Sequence, residues 1–81
     1  MSIEKIKKLI KYFCDIHHDH DRAEYMIDNV EMIEEEQEKW EEKADSCEYE
    51  LYRVAAKIKS LNPSKEMIEK YSDLEYILNF A

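Results

Sequence analysis

Glycine is absent from this 81-residue chain, and proline occurs once, at Pro63. Without glycine the chain cannot build the glycine-rich loops that hold phosphate groups or the GxSxG turn of many hydrolases. No HExxH motif is present either. The nearest approach to a nucleophile beside a base is Cys14 with His17, but Cys14 follows Phe13 on an apolar seam and is best explained by packing. We therefore expect neither an enzyme nor a bound cofactor.

Cysteine is also scarce, since Cys14 and Cys47 are the two in the chain and lack CxxC spacing. Long apolar runs are missing as well. The early pair Leu9-Ile10 is followed at once by a lysine, so we expect no signal peptide and no transmembrane segment. Together these features predict a cytoplasmic protein with reduced thiols. The net charge of −8 argues against direct binding to nucleic acid or membrane and favours a basic protein partner.

What the chain does contain is abundant Glu, Lys, Ile and Leu, which predicts an all-α fold in one domain, residues 1–81. A first helix is expected over about 3–16, capped by Ser2. The polar segment 17–21 is expected to be a connection, with Asp21 and Glu24 forming a capping box for the next helix. After Asn62-Pro63, a third helix is expected over about 65–80, capped by Ser64, with Ala81 at the end of its seam. Ser72 and Glu75 could also restart the helix, so a kink near Ser72 is the alternative.

Between these short helices the sequence predicts one long, coiled-coil-like helix over about 22–61. Its apolar seam alternates spacings of three and four, as in a heptad repeat. The seam residues are Ala23, Met26, Val30, Ile33, Gln37, Trp40, Ala44, Cys47, Leu51, Val54, Ile58 and Leu61. Such a helix would be about 60 Å long. The short helices, running antiparallel to it, would cover its ends and leave its middle bare.

The bare middle carries the seam residues Gln37, Trp40, Ala44 and Cys47, and an uncovered tryptophan favours a partner. We expect a homodimer, with antiparallel pairing of the long helices preferred because it would bring acids of one chain near Arg53 and Lys57 of the other. A parallel dimer, a compact monomer broken near Asp45-Ser46 and a higher oligomer are the alternatives.

Negative charge is concentrated in residues 31–50, where ten acids and two lysines give a net charge of −8. On a helix this is one charge per ~4 Å, close to the ~3.4 Å along one strand of B-DNA. The block predicts an acidic face that binds a basic surface of another protein, formed by Glu31, Glu34, Glu35, Glu38, Glu41, Glu42, Asp45 and Glu48. The simpler interpretation is a solvated helix face.

In its small size, acidity, helical character and lack of glycine, the chain resembles the accessory proteins with which phages block host nucleases, such as anti-restriction and anti-CRISPR proteins. This resemblance in character implies an inhibitor that mimics nucleic acid and occupies a nucleic-acid-binding groove. One alternative is a structural or adaptor coiled coil whose acids only maintain solubility. A second is a small-ligand or metal-binding oligomer, for which His17, His20 and Glu24 are the candidate ligands, against a purely polar turn.

Overall fold

The structure, a computed structural model, describes residues 3–80. It contains four α-helices and no strand within those residues: α1 (Ile3–Asn29), α2 (Glu34–Ser60), α3 (Lys65–Lys70) and α4 (Ser72–Phe80). The expected all-α class is thus confirmed. Ser2 and Ala81, the predicted cap and seam end, lie outside the described residues. No helix between residues 3 and 80 is long and apolar enough to cross a membrane.

Helix α1 does not end near residue 16, and the expected connection at 17–21 is wrong. The helix continues through this segment without a break to Asn29. Two pairs one turn apart, His17 with Asp21 and His20 with Glu24, support the helix there instead of ending it. The apolar seam also continues past it, through Ile16 and the fully buried Ala23.

The long helix over 22–61 is also wrong, because the chain leaves helical geometry at residues 30–33. Ile33 precedes α2 in an extended conformation (φ −71°, ψ 159°), and its side chain provides no cap. Local signals for this break are weak: the Asn29 amide donates to the carbonyl of Tyr25, and three glutamates begin α2 where the helix dipole favours acids. The stronger reason is tertiary. Folding back lets α1 and α2 bury their seams against each other, which one continuous helix could not do.

The C-terminal region matches its prediction more closely. Asn62 adopts a left-handed conformation (φ 47°) before Pro63, and the Ser64 hydroxyl accepts a hydrogen bond from the Met67 N–H (3.3 Å), so the predicted cap is confirmed. The single helix expected over 65–80 is divided at Tyr71, whose extended backbone (φ −111°, ψ 102°) forms the alternative kink before Ser72.

The hydrophobic core lies where α4 packs against both long helices. Its largest fully buried side chains are Phe13, Ile6, Leu51, Ile58, Leu74, Ile77 and Val54. The α1–α2 hairpin is antiparallel, since the Tyr12 hydroxyl in the first half of α1 donates to Glu50 in the second half of α2 (3.4 Å). The expected cover of one end of a long helix by a short first helix is therefore wrong, because α1 pairs with α2 as a helix of equal length. The closed end of the hairpin, on either side of the connection at residues 30–33, extends beyond the core. In the described structure Ala23 is its one fully buried residue.

Candidate protein-binding surface

All eight residues of the predicted acidic face are exposed. Glu31 lies in the connection between the long helices, and the other seven are on α2. Within residues 3–80, lysine and arginine form ion pairs with acids at Lys7–Glu4 and Arg53–Glu50, and neither pair involves the acidic face. Its carboxylates are therefore not neutralised by neighbouring cations of the same chain.

The hairpin adds a second row of acids that the sequence did not predict. Glu24 and Asp28 of α1 line one interhelical cleft of about 350 Å³ together with Glu41, Asp45 and Glu48 of α2. Its remaining lining consists of His20, Ile27 and Ala44. Glu24 and Asp28 were missed because the predicted continuous helix carried them away from α2. The seven-residue spacing from Ile16 to Ala23 was the available signal that α1 continued.

The fold also separates charge along the molecule, whose longest dimension is 48 Å. Residues 21–50 comprise the closed end of the hairpin and the next turns of α2, as far as Glu50 beside Tyr12, and contain thirteen acids and three bases, a net charge of −10. The remaining residues contain seven acids and nine bases, a net charge of +2. Lys5 and Lys8 lie in the first turns of α1, at the opposite end of that helix from the connection that holds Glu31.

The seam residues expected to contact a partner are divided by the structure. Ala44 and Cys47 are half-buried on the side of α2 that faces its own chain: Ala44 lines the cleft with Ile27, and Cys47 packs against the core. Trp40 is also half-buried, and the ammonium of Lys43 lies 5.7 Å from the centre of its ring. Gln37 is exposed and donates to Glu41 (3.3 Å). The long bare helix that motivated a dimer does not exist, so the expected homodimer loses that support and stays a prediction.

The predicted metal ligands fall together on α1. His20 Nε2 lies 3.4 Å from Glu24 Oε1, and His17 Nδ1 lies 3.4 Å from Asp21 Oδ2. His20, Asp21 and Glu24 each offer a ligand atom within 4.8 Å of the other two. The interpretation of this segment as a polar turn is wrong, because it lies inside a helix.

Both thiols are held in their neutral form. Burial raises the pKa of Cys14, and the adjacent Asp73 carboxylate, 3.7 Å from its sulfur, raises it further. Burial also raises the pKa of Cys47, with an added effect of Asp19. A raised pKa lowers the thiolate fraction at neutral pH and therefore the reactivity of each sulfur. Comparisons with protein families, with curated proteins and with solved structures found no match for this chain.

Proposed function

We propose that this chain is a non-enzymatic protein-interaction module that binds a basic surface of another protein through the acidic closed end of its hairpin. The observation that carries the proposal is the convergence of carboxylates from two helices on one cleft, without lysine or arginine partners in residues 3–80. Like charges that lack a lysine or arginine partner repel one another, so this arrangement is an electrostatic cost to the free chain. A basic partner would remove that cost on binding.

The charge density favours a partner that normally binds nucleic acid. Residues 34–50 of α2 span about 25 Å, and the last turns of α1 lie alongside, so the net charge of −10 on residues 21–50 corresponds to one charge per ~2.5 Å. This value lies between the ~3.4 Å of a single DNA strand and the ~1.7 Å of the duplex. Two rows of carboxylates on paired helices can therefore replace phosphates in a basic groove. We infer that the chain inhibits its target by occupying that groove.

The test compares two variants with the same change in charge. The acidic-face variant carries glutamine at Glu34, Glu38, Glu41 and Glu48, of which the last two line the cleft. The control variant carries glutamine at four exposed acids remote from the hairpin's closed end, Glu4, Glu66, Glu69 and Glu75. Each chain is immobilised and used to capture proteins from a lysate at about 50 and 200 mM salt, a range over which a groove using six to ten phosphate contacts loses ~10³–10⁵ in affinity.

Captured proteins are then tested for displacement of labelled DNA or RNA by the free chain. We expect displacement by the unmodified chain and by the control variant, and none by the acidic-face variant. Equal displacement by the acidic-face variant would contradict the proposal. Capture that is insensitive to salt would contradict it as well.

A second candidate function, a structural or adaptor dimer, is favoured by one observation. Ile33 and Val30 at the closed end of the hairpin are 64% and 36% exposed, and the half-buried Trp40 follows in the first turns of α2. Sedimentation equilibrium of the unmodified chain and of Trp40→Ala tests this function. A dimer that Trp40→Ala dissociates, together with unchanged activity of the acidic-face variant, would favour the adaptor over the inhibitor.

A further inference from the structure

Four potential metal ligands occupy consecutive turns on one face of α1. His17, His20, Asp21 and Glu24 stand at positions i, i+3, i+4 and i+7 of an uninterrupted helix. Side chains with these spacings lie one above another on a helix surface. His18, which lies between two of them in sequence, is exposed.

The distances within this group suit a tetrahedral ion. Zinc bonds of about 2.0–2.1 Å separate neighbouring ligand atoms by roughly 3.3 Å in a tetrahedron. The two pairs, His17 Nδ1 with Asp21 Oδ2 and His20 Nε2 with Glu24 Oε1, are each 3.4 Å apart. His20, Asp21 and Glu24 each offer a ligand atom within 4.8 Å of the other two. His17 is linked to this group through Asp21, so side-chain rotations are needed to bring all four ligand atoms around one ion.

A second helix holds one of the imidazoles independently. His17 Nε2 lies 3.2 Å from the hydroxyl of Tyr76 on α4, and the two rings meet edge to face with centres 5.6 Å apart. Histidines that bind metal characteristically use their other ring nitrogen in such a hydrogen bond, which fixes the ring and its tautomer. When Nε2–H donates to Tyr76, the lone pair of Nδ1 points to the side of Asp21.

We propose that His17, His20, Asp21 and Glu24 bind one divalent transition-metal ion, with Zn²⁺ as the preferred occupant. Two imidazole nitrogens with two carboxylates form a borderline donor set, which suits zinc, cobalt or nickel and not magnesium or calcium. The cleft adjoining this group, about 320 Å³, is also lined by Glu48 of α2, whose charge attracts a cation. Tyr76 acts as a positioning residue for His17. This site goes beyond the proposed partner binding.

The test is calorimetric titration of the metal-stripped full chain with zinc chloride, and with cobalt(II) chloride followed by absorption spectroscopy. We expect one ion per chain, a cobalt spectrum typical of four-coordinate nitrogen and oxygen ligands, and a raised melting temperature with the ion present. His20→Gln and the more exposed Glu24→Gln should each weaken binding by at least ~10-fold, since even outer-shell changes commonly cost 10–100-fold. His18→Gln, the matched control, should leave the affinity unchanged.

Three outcomes would overturn the site: no stoichiometric binding by the unmodified chain, equal losses in His18→Gln and His20→Gln, or loss of binding when Cys14 and Cys47 are both replaced by serine. Tyr76→Phe tests the positioning role. It should weaken zinc binding while leaving the melting temperature of the metal-free chain unchanged, and it should alter the ¹⁵N tautomer signature of the His17 imidazole. An unchanged affinity and signature in Tyr76→Phe would remove that role.

Discussion

Proline substitutions at two positions distinguish the observed hairpin from the continuous helix that the heptad pattern predicts. In the structure His18 lies inside α1, whereas Ile33 lies in the non-helical connection before α2. In the predicted arrangement the positions exchange roles, with residue 18 in a turn and residue 33 inside a helix. The variants His18→Pro and Ile33→Pro therefore have opposite expected effects under the two architectures.

The cost at residue 18 follows from lost helix geometry. Proline removes one backbone hydrogen bond and clashes with the preceding turn, a loss of about 3 kcal/mol or more. Because a chain of this length has roughly 4–12 kcal/mol of stability, that loss is a large fraction of the total. It corresponds to a melting temperature lowered by about 12 °C or more, at about 4–8 °C per kcal/mol for a domain of 60–100 residues. His18 is exposed, so lost packing contributes little.

The same substitution at Ile33 is expected to be nearly neutral. Its φ of −71° is already the proline value, its N–H makes no backbone hydrogen bond within residues 3–80, and its carbonyl still accepts from Gln37 (3.0 Å). A lower unfolded-state entropy stabilises by about 0.4–1 kcal/mol. Since the Ile33 side chain is 64% exposed, its lost burial costs about 0.5–1 kcal/mol. These effects offset each other within ~1 kcal/mol.

Urea unfolding followed by far-ultraviolet circular dichroism measures both variants, with His18→Ala as the control for loss of the side chain alone. We expect His18→Pro to lower the midpoint strongly and His18→Ala to change the free energy of unfolding by at most ~0.5 kcal/mol. If Ile33→Pro proved the more damaging of the two proline variants, the hairpin would be refuted and the continuous helix restored.

Three further predictions concern the core, a cap and a thiol. Leu51→Ala, at a side chain that is 1% exposed, should destabilise by about 2–5 kcal/mol in urea unfolding, whereas Tyr49→Ala, at 70% exposed, should change stability little. Ser64→Ala should cost ~1 kcal/mol through loss of the α3 cap, and retention of that stability by Ser64→Asp, also a good cap, would distinguish capping from other effects. Because the folded pKa of Cys14 is raised, its contribution to stability is fully present below the unfolded pKa and is lost as pH rises through the folded pKa, so Cys14→Ser should reduce the loss of stability in alkaline solution. An unchanged alkaline profile would contradict this assignment.

The acidic surface shows how far the sequence alone could reach. The exposure of Glu34, Glu38 and Glu42 followed directly from their positions off the apolar seam, and the structure agrees. The contribution of Glu24 and Asp28 did not follow, because it depends on which segment of α2 lies beside them. The charge of a residue follows from the sequence alone, but a cleft forms between two helices. The residues that line it change when the break between those helices moves.

The histidine segment was misassigned for a related reason. Histidine and aspartate are moderate helix formers that also favour turns and caps, so a run of them reads as a connection when taken alone. In the structure the same residues pair one turn apart, and His17 gains a partner on α4 that is 59 positions away. No local pattern contains that contact. The sequence favours a break at residues 17–21, where polar residues are dense. The actual break at residues 30–33 has no glycine, proline or strong cap to indicate it.

The sequence by itself determined the helical class, the ends set by Asn62-Pro63 and Ser64 and the concentration of negative charge, because each depends on backbone preferences or composition over a few residues. Only the tertiary structure decided where the long apolar seam breaks. A heptad seam needs a partner to bury it but does not specify whether the partner is another chain or an earlier part of its own. Here residues 30–33 turn the chain back, and that turn brings both rows of acids together and places Tyr76 beside His17.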